Sequence, residues 1–234
     1  MKPWFALSLL ALSSASYADI FSNQAPAANG GNYRWSKLWV DPTGQNNLDG
    51  DAICYEDFTL TTTSTINRLE WWGDANPNKG FQIEFWKQDP GTIAYQPYGV
   101  FRDSGAKAEK TYITTNYSFN SDPSGTVHFS YDLPTSVTLA ANDGANPRWF
   151  IAVIGLTDVA YLEWNWAQGL GGSNQTFQFI RGGNEGGGDR YQRLGDGRAM
   201  VISGSAVPEP AAIFAFLTGV VAFRRRRNPR KVSA

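Results

Sequence analysis

The chain has 234 residues and a formal net charge of −1, but its charges are unevenly distributed. Of the 20 Lys and Arg residues, one lies in residues 1–18 and six lie after residue 223, which leaves 13 against 21 acidic residues between residues 19 and 210, a net charge near −8. Such a body argues against binding nucleic acid or an acidic polymer through bulk charge. The single cysteine, Cys54, excludes an intramolecular disulfide, and one cysteine with one histidine excludes a structural zinc site. We expect Cys54 to be a small buried residue.

The first 18 residues have the layout of a secretory signal peptide. Lys2 supplies a positive charge, and residues 4–12 form an apolar run. Ser16 and Ala18 then place small residues at positions −3 and −1 of a cleavage site after Ala18. The sequence therefore predicts export, with a body that begins at residue 19.

The exported body, residues 19–205, is predicted to be one all-β domain. Its many aromatic, Thr, Gly and Asn residues favour strands joined by turns. We expect a jelly-roll-like antiparallel β-sandwich, with a loop-rich lead-in over 19–50 and a mobile glycine-rich surface loop over 181–198. The predicted strands are 36–40, 53–62, 65–72, 81–86, 112–115, 117–120, 126–133, 137–140, 148–156, 161–166, 176–180 and 199–203.

Exposed aromatic residues form the sharpest candidate binding site. In the predicted strand 81–86, apolar and polar residues alternate, so that Glu84 and Trp86 share the outward face. The same alternation turns Trp72 outward, and Tyr161 could extend the surface. Exposed aromatic rings often mark binding sites, and sugar rings could stack on these. The alternative is that a second sheet or a loop covers the rings.

Catalytic residues are less evident. A Ser-His-Asp arrangement would need His128, the only histidine, which we expect to be an ordinary surface residue. Glu70 and Glu84 on neighbouring strands, or Glu163, could provide the two carboxylates of a glycosidase, but alternation alone predicts an acidic solvated face. The segment 49–51 is predicted to be a turn rather than a calcium loop. We expect no enzyme activity, no cofactor and no metal.

The C-terminal segment, residues 206–234, is predicted to be a short membrane anchor. A helix over the apolar run 211–223 would reach about 20 Å, less than the ~30 Å hydrocarbon core of a bilayer. Cationic residues after the run should stay cytoplasmic and leave the body outside. The run is preceded by Val207, Pro208, Glu209 and Pro210 and followed by Arg224, Arg225, Arg226 and Arg227.

This order of proline motif, apolar run and arginine cluster resembles the PEP-CTERM sorting tail of exported bacterial proteins. The resemblance implies processing by an exosortase-type membrane transpeptidase, a transient inner-membrane anchor and a cell-surface or extracellular destination in a host that makes extracellular polysaccharide. In their order along the chain, the segments 57–60, 66–73, 81–85, 132–134 and 139–141 are similar to a body domain common in such proteins, and this resemblance implies no catalytic motif.

Three functions remain open on the sequence. The first is a non-catalytic structural or adhesive protein of the envelope or polysaccharide matrix. The second is a carbohydrate-binding module that uses Trp72, Trp86 and Glu84. The third is a glycan-active enzyme with two outward carboxylates. Burial of both tryptophans would remove the motive for the second.

Overall fold

The computed structural model describes residues 19–43, 51–91, 95–98, 107–159, 162–181 and 189–207. These residues form sixteen strands and a single-turn 3-10 helix, Ala28–Gly30, which confirms the all-β prediction. No helix in this part of the chain is both long and apolar enough to cross a membrane. The predicted signal peptide with Ala18, Tyr161, Pro208 to Pro210 and Arg224 to Arg227 lie outside the described residues.

The first sheet has nine strands, in the order β15-β12-β1-β16-β5-β11-β2, with β9 beside β5 and β8 beside β9. Its pairings are antiparallel. Its strands are β1 (Asp19–Pro26), β2 (Arg34–Trp35), β5 (Ser64–Gly73), β8 (Ser118–Ser121), β9 (Val127–Leu139), β11 (Asn165–Trp166), β12 (Gln168–Leu170), β15 (Gly197–Arg198) and β16 (Met200–Ala206).

The second sheet has seven strands, in the order β14-β13-β4-β3-β10-β6-β7, and β4 also pairs with β10. The pairing of β3 with β10 is parallel, and the other pairings are antiparallel. Its strands are β3 (Lys37–Trp39), β4 (Ala52–Phe58), β6 (Phe81–Lys87), β7 (Lys110–Thr114), β10 (Trp149–Thr157), β13 (Thr176–Ile180) and β14 (Arg190–Leu194).

The main core lies between the two sheets. Trp71 of the first sheet packs edge-to-face on Phe81 of the second, with 4.9 Å between ring centroids, and stacks on Phe129 at 5.6 Å. Cys54 is fully buried in this core, as predicted, and burial raises the pKa of its thiol to about 12. All nine residues of β10 are buried, so this strand is covered on both faces.

A second core covers the outer face of the seven-stranded sheet. Tyr55, Trp86 and Phe150 meet there with Tyr95, which lies outside the strands. Tyr95 packs edge-to-face on Phe150, with 5.4 Å between ring centroids. This sheet is therefore buried on both faces over much of its width.

Two predicted loops are strands in the structure. The lead-in prediction is wrong for Asp19–Pro26, because β1 lies between β12 and β16. Hydrophobic alternation does not reveal this strand: Ile20 is 60 % exposed and Gln24 is 1 % exposed. The prediction of a surface loop is wrong for Arg190–Leu194, an edge strand whose residues are almost all exposed.

The two ends of the described body lie together. β1 and β16 are antiparallel neighbours, and Asp19 is opposite Gly204. The backbone N–H of Ala206 donates to Oδ2 of Asp19 over 3.3 Å. Segments that precede Asp19 and follow Ala206 therefore join the body at one side.

Candidate ligand-binding site

Trp72 points to the outer face of its sheet, as alternation predicted, but only 8 % of it is exposed. Its ring stacks on that of His128, its cross-strand partner, with centroids 4.5 Å apart. The indole N–H donates to Oδ2 of Asp122 over 3.0 Å. The expectation of an exposed Trp72 is wrong because β9 and the turn before it cover the ring.

Trp86 is 4 % exposed and belongs to the outer core of the other sheet. Its indole N–H donates to Oε2 of Glu84 over 3.0 Å, and Glu84 is itself 3 % exposed. Glu84 therefore holds Trp86 in place rather than presenting a carboxylate to solvent. Trp72 and Trp86 lie on the outer faces of different sheets, so they cannot form one platform for a sugar.

The carboxylates considered for catalysis are also far apart in the fold. Glu70 and Glu84 are not on neighbouring strands, because β5 and β6 belong to different sheets and both side chains point away from the common core. Glu70 accepts a hydrogen bond from Arg68 and lies 2.8 Å from Nε2 of His128. Glu163 is exposed. Glu70 and Glu84 thus cannot flank one glycosidic bond.

A cavity of about 300 Å³ opens between β1 of the first sheet and the end of β4 of the second. Its walls are residues 21–24 of β1, residues 57–59 at the end of β4 and residues 172–173, which follow β12. Asn23, Thr59 and Ser173 are exposed at the rim. Gln24, Asp57 and Phe58 are buried and form the inner wall of the cavity.

Asp57 is the fixed polar group of this cavity. Its Oδ1 accepts hydrogen bonds from the hydroxyls of Tyr95, over 3.0 Å, and Ser173, over 2.5 Å. Its Oδ2 accepts one from Nη1 of Arg148 over 3.0 Å, and the Arg148 guanidinium lies 4.6 Å from the centre of the Tyr95 ring. Burial and the neighbouring Asp57 charge raise the pKa of Tyr95. The hydroxyl therefore stays protonated, and it lies within hydrogen-bond distance of both Asp57 Oδ1 and the carbonyl oxygen of Gln175.

Gln24 lies at the inner wall of this cavity, and its side chain is buried. The amide is held between Gly172 and Gly197, where a Cβ would come within 2.6 Å and 2.7 Å of it. The amide also makes a hydrogen-bonding contact with the buried Glu56 carboxyl, and this contact favours the ionised form of Glu56.

A buried charged network lies behind the cavity. Glu56 is fully buried on the opposite face of β4 from Asp57, and desolvation raises its pKa to about 8. Its Oε2 lies 2.8 Å from the Thr176 hydroxyl and accepts a hydrogen bond from the backbone N–H of Arg198, also over 2.8 Å. The fully buried Arg198 guanidinium forms an ion pair with Asp196 over 2.8 Å.

A second cavity lies against Trp86 on the outer face of the seven-stranded sheet. It is a groove of about 280 Å³, and the half-exposed ring of Tyr98 forms part of its wall. Lys87 and Glu109 form an ion pair over 2.7 Å beside it. Among the described residues of its wall, no polar side chain is both buried and without a hydrogen bond.

The described residues contain no group of three or more His, Cys, Asp or Glu that could hold a metal ion. Asp51, the described residue of the segment 49–51, is buried and accepts a hydrogen bond from the backbone N–H of Trp39 over 3.0 Å. Comparisons with known protein families, with curated proteins and with solved structures found no match to this chain.

Sequence reasoning did not find Gln24, Asp57 or Ser173 as site residues. Gln24 carries no local signal, because nothing around it predicts that β1 is a strand. A signal was present for Asp57, since Glu56 and Asp57 interrupt the apolar strand β4, and adjacent charges in such a strand predict buried, partnered carboxylates.

Proposed function

We propose that this chain is an exported, non-catalytic protein of the cell surface or extracellular matrix, structural or adhesive in an exopolysaccharide context. A PEP-CTERM tail would sort it, and an exosortase-type membrane transpeptidase would process that tail. The membrane is a partner only before processing, and the acidic body disfavours nucleic acid. The jelly-roll-like connectivity of a single body domain stays a prediction.

The observation that carries the proposal is the position of the two ends of the body. The described part of β1 starts at Asp19, the residue after the predicted signal cleavage, and β16 ends at Ala206, next to Val207 of the sorting motif. The adjacent ends would place both processing sites on one side of the sheet. Cleavage at either site would leave the strands of the body complete.

The proposal that the protein is non-catalytic is supported by the contacts that the candidate catalytic side chains already make within the fold. His128 is stacked on Trp72 and paired with Glu70. Glu84 is buried beside Trp86. The carbohydrate-binding alternative loses its exposed-tryptophan surface, because Trp72 and Trp86 are both buried.

Mass spectrometry of the protein recovered from its host tests the sorting proposal. We expect a mature chain that begins at Asp19 and lacks Arg224 to Arg227. With Glu209→Ala in the sorting motif, we expect a tail-bearing precursor to accumulate in the membrane fraction. Glu163→Ala, at an exposed carboxylate of the body, is the matched control and should be processed like the parent chain. Intact chain in the cytosol, with residues 1–18 attached, would refute the proposal.

A further inference from the structure

We propose that two copies of this chain pair their β8 strands antiparallel, about a two-fold axis at Phe119, and so join their nine-stranded sheets into one. The inference goes beyond the proposed function by naming a partner, a second copy of the chain. It depends on that function only for a surface on which many copies lie close together.

The first observation is that β8 ends a sheet and is open to solvent. It pairs with β9 alone among the described strands, and all four of its residues are exposed. In such a strand, alternate backbone N–H and C=O groups point away from the neighbour and can pair with another strand. The chemistry that fits this edge is therefore an extended backbone.

The second observation is that β8 lacks charge. Folded proteins commonly protect exposed edge strands with charged side chains or proline, because an unprotected edge pairs with other chains. The residues of β8, Ser118–Ser121, are all uncharged. Of the other described strands that end a sheet, β15 is buried and the rest carry cations: Arg34 in β2, Lys110 in β7, and Arg190 and Arg193 in β14. β8 is thus the exposed edge without this protection.

The third observation is the position of Phe119. It points towards the core between the sheets, because it is opposite the fully buried Phe129, with 6.1 Å between ring centroids. Even so, 53 % of Phe119 is exposed. Tyr117, whose ring centroid is 6.3 Å away, is also only partly buried. The aromatic core therefore continues to the surface at β8, and a second copy would remove apolar surface from water there.

The fourth observation is that the sequence around β8 is complementary to itself. With the two-fold axis perpendicular to the sheet at Phe119, the core faces of both copies lie on the same side, and residues opposite each other share a face. Phe119 is then opposite Phe119 of the second copy, and Ser118 is opposite Asn120 of the second copy. Aromatic pairs and hydrogen-bonding polar pairs stabilise neighbouring strands.

The charges near β8 also permit a second copy. The body has a net charge near −8, so two copies repel each other wherever acidic residues meet. The proposed register places Asp122, directly after β8, opposite the neutral Asn116 of the second copy. Asp132, further along β9, is paired with Arg68 over 2.8 Å. The acidic side chains closest to this edge along the chain therefore do not face each other.

The small size of the contact determines its strength. The pairing spans residues 117–121, far fewer than the roughly 20–30 residues per side of a standard interface. We therefore expect a weak dimer in dilute solution, which forms mainly where copies are concentrated. Copies held on one surface meet this condition, because attachment raises their effective concentration.

Disulfide trapping in the full-length chain, held in a zwitterionic detergent, tests the inference. Cys54 is fully buried, and burial raises the pKa of its thiol to about 12, so only a new exposed cysteine should react. Ser118→Cys and Asn120→Cys are oxidised separately and as an equimolar mixture. We expect the mixture to form disulfide-linked dimer at least about threefold faster, because only the mixture places two thiols directly opposite each other. Gly144→Cys, at an exposed turn, is the matched control and should form dimer no faster than the separate variants.

Two further substitutions, each made in both cysteine variants, locate the contact. Phe119→Lys would bring two ammonium groups opposite each other on the axis and should slow the mixed reaction by about tenfold or more. Ile113→Lys changes an exposed apolar residue of β7 and should leave the rate unchanged. Circular dichroism checks that each variant is folded. If Phe119→Lys does not fold, the mixture still decides the question, because it retains Phe119.

Three outcomes would overturn the inference: a mixture that reacts no faster than the separate variants; Asn120→Cys alone reacting faster than the mixture, which would move the axis away from Phe119; or equal slowing by Phe119→Lys and Ile113→Lys. The result is independent of sorting, because trapping requires neither export nor processing. A failed trapping experiment with correct processing would reject the dimer alone, and the converse would reject the sorting proposal alone.

Discussion

Glu56 is the residue whose environment departs most from solution among the described carboxyl groups. It is fully buried, and desolvation raises its pKa from about 4.5 to about 8, although hydrogen bonds from Thr176 and the Arg198 backbone partly oppose the shift. The folded chain therefore holds this proton more tightly than the unfolded chain does. The stability that Glu56 contributes is fully present below pH 4.5 and is lost as the pH rises through about 8.

Glu56→Gln tests this linkage. The neutral amide of the variant does not titrate. We therefore compare the free energy of unfolding of the parent chain with that of Glu56→Gln. The parent value minus the variant value should fall by up to about 1.4 kcal/mol per pH unit between pH 5 and 8 and then level off. Urea unfolding at five pH values measures the difference. Glu163→Gln, at an exposed carboxylate, should give a nearly flat difference. A difference for Glu56→Gln that stays constant, or rises with pH, would contradict a protonated buried Glu56.

At the residue scale, the sequence correctly predicted the face of the sheet to which each tryptophan points. It did not predict whether other residues bury the ring. Alternation correctly turned Trp72 and Trp86 away from the common core. It could not show that His128 and Asp122 cover Trp72, because these contacts join residues 50 or more positions apart in the chain. Exposure depends on such distant contacts, whereas the face of a strand depends only on its period of two.

At the scale of elements, the pairing of β16 with β5 depends on a glycine. The register shifts between Ser203 and Gly204, which marks a bulge or irregularity in the ladder. A Cβ on Gly204 would lie 2.0 Å from the carbonyl oxygen of Thr65 and 2.9 Å from Cα of Ile66. Both contacts are with backbone, so neither can be relieved by turning a side chain.

Gly204→Ala should therefore lower the free energy of unfolding by about 1–3 kcal/mol, because one of the two strands has to shift. Gly144→Ala is the matched control: a Cβ there meets nothing within 4 Å, and the change should be less than about 1 kcal/mol. Chemical denaturation of both variants measures the two values. Equal effects would show that the β16–β5 ladder accommodates the added methyl group.

Strands with an apolar face were predictable from the sequence, and polar strands were not. β6 and β10 match their predicted ranges to within a residue or so, because their apolar residues mark one or both faces. The predicted strands 126–133 and 137–140 are one strand, β9, since Pro134 does not interrupt it. β1 and β14 bury few apolar side chains, so backbone pairing with neighbours far along the chain defines them instead.

For the whole molecule, the main feature is that the two ends of the body meet. The Ala206 backbone N–H contacts Asp19, and β1 and β16 pair over most of the length of β1. Adjacent ends make a chain suitable for circular permutation, provided that the new ends lie at an exposed turn. Gly144 lies at such a turn, with open space around it.

A permutant that joins Ala206 to Asp19 through a short Gly-Ser linker, with new ends at Gly144, should fold. Because the strand pairings are unchanged, its Tm should fall by no more than about 8 °C, the shift that corresponds to roughly 2 kcal/mol. Circular dichroism during heating measures it. A permutant with new ends between Val153 and Ile154, inside buried β10, is the control and should not fold. If the Gly144 permutant also fails to fold, the ends do not meet as described.

The adjacency of β1 and β16 also determines how the body would respond to pulling. If a load acts on the chain at Ala206 and near Gln24, the force enters neighbouring strands near opposite ends of one ladder, since Gln24 is opposite Met200. The two strands would be drawn past each other along their length, so their hydrogen bonds would share the load at once instead of breaking in sequence. The same arrangement would leave the seven-stranded sheet largely free of tension.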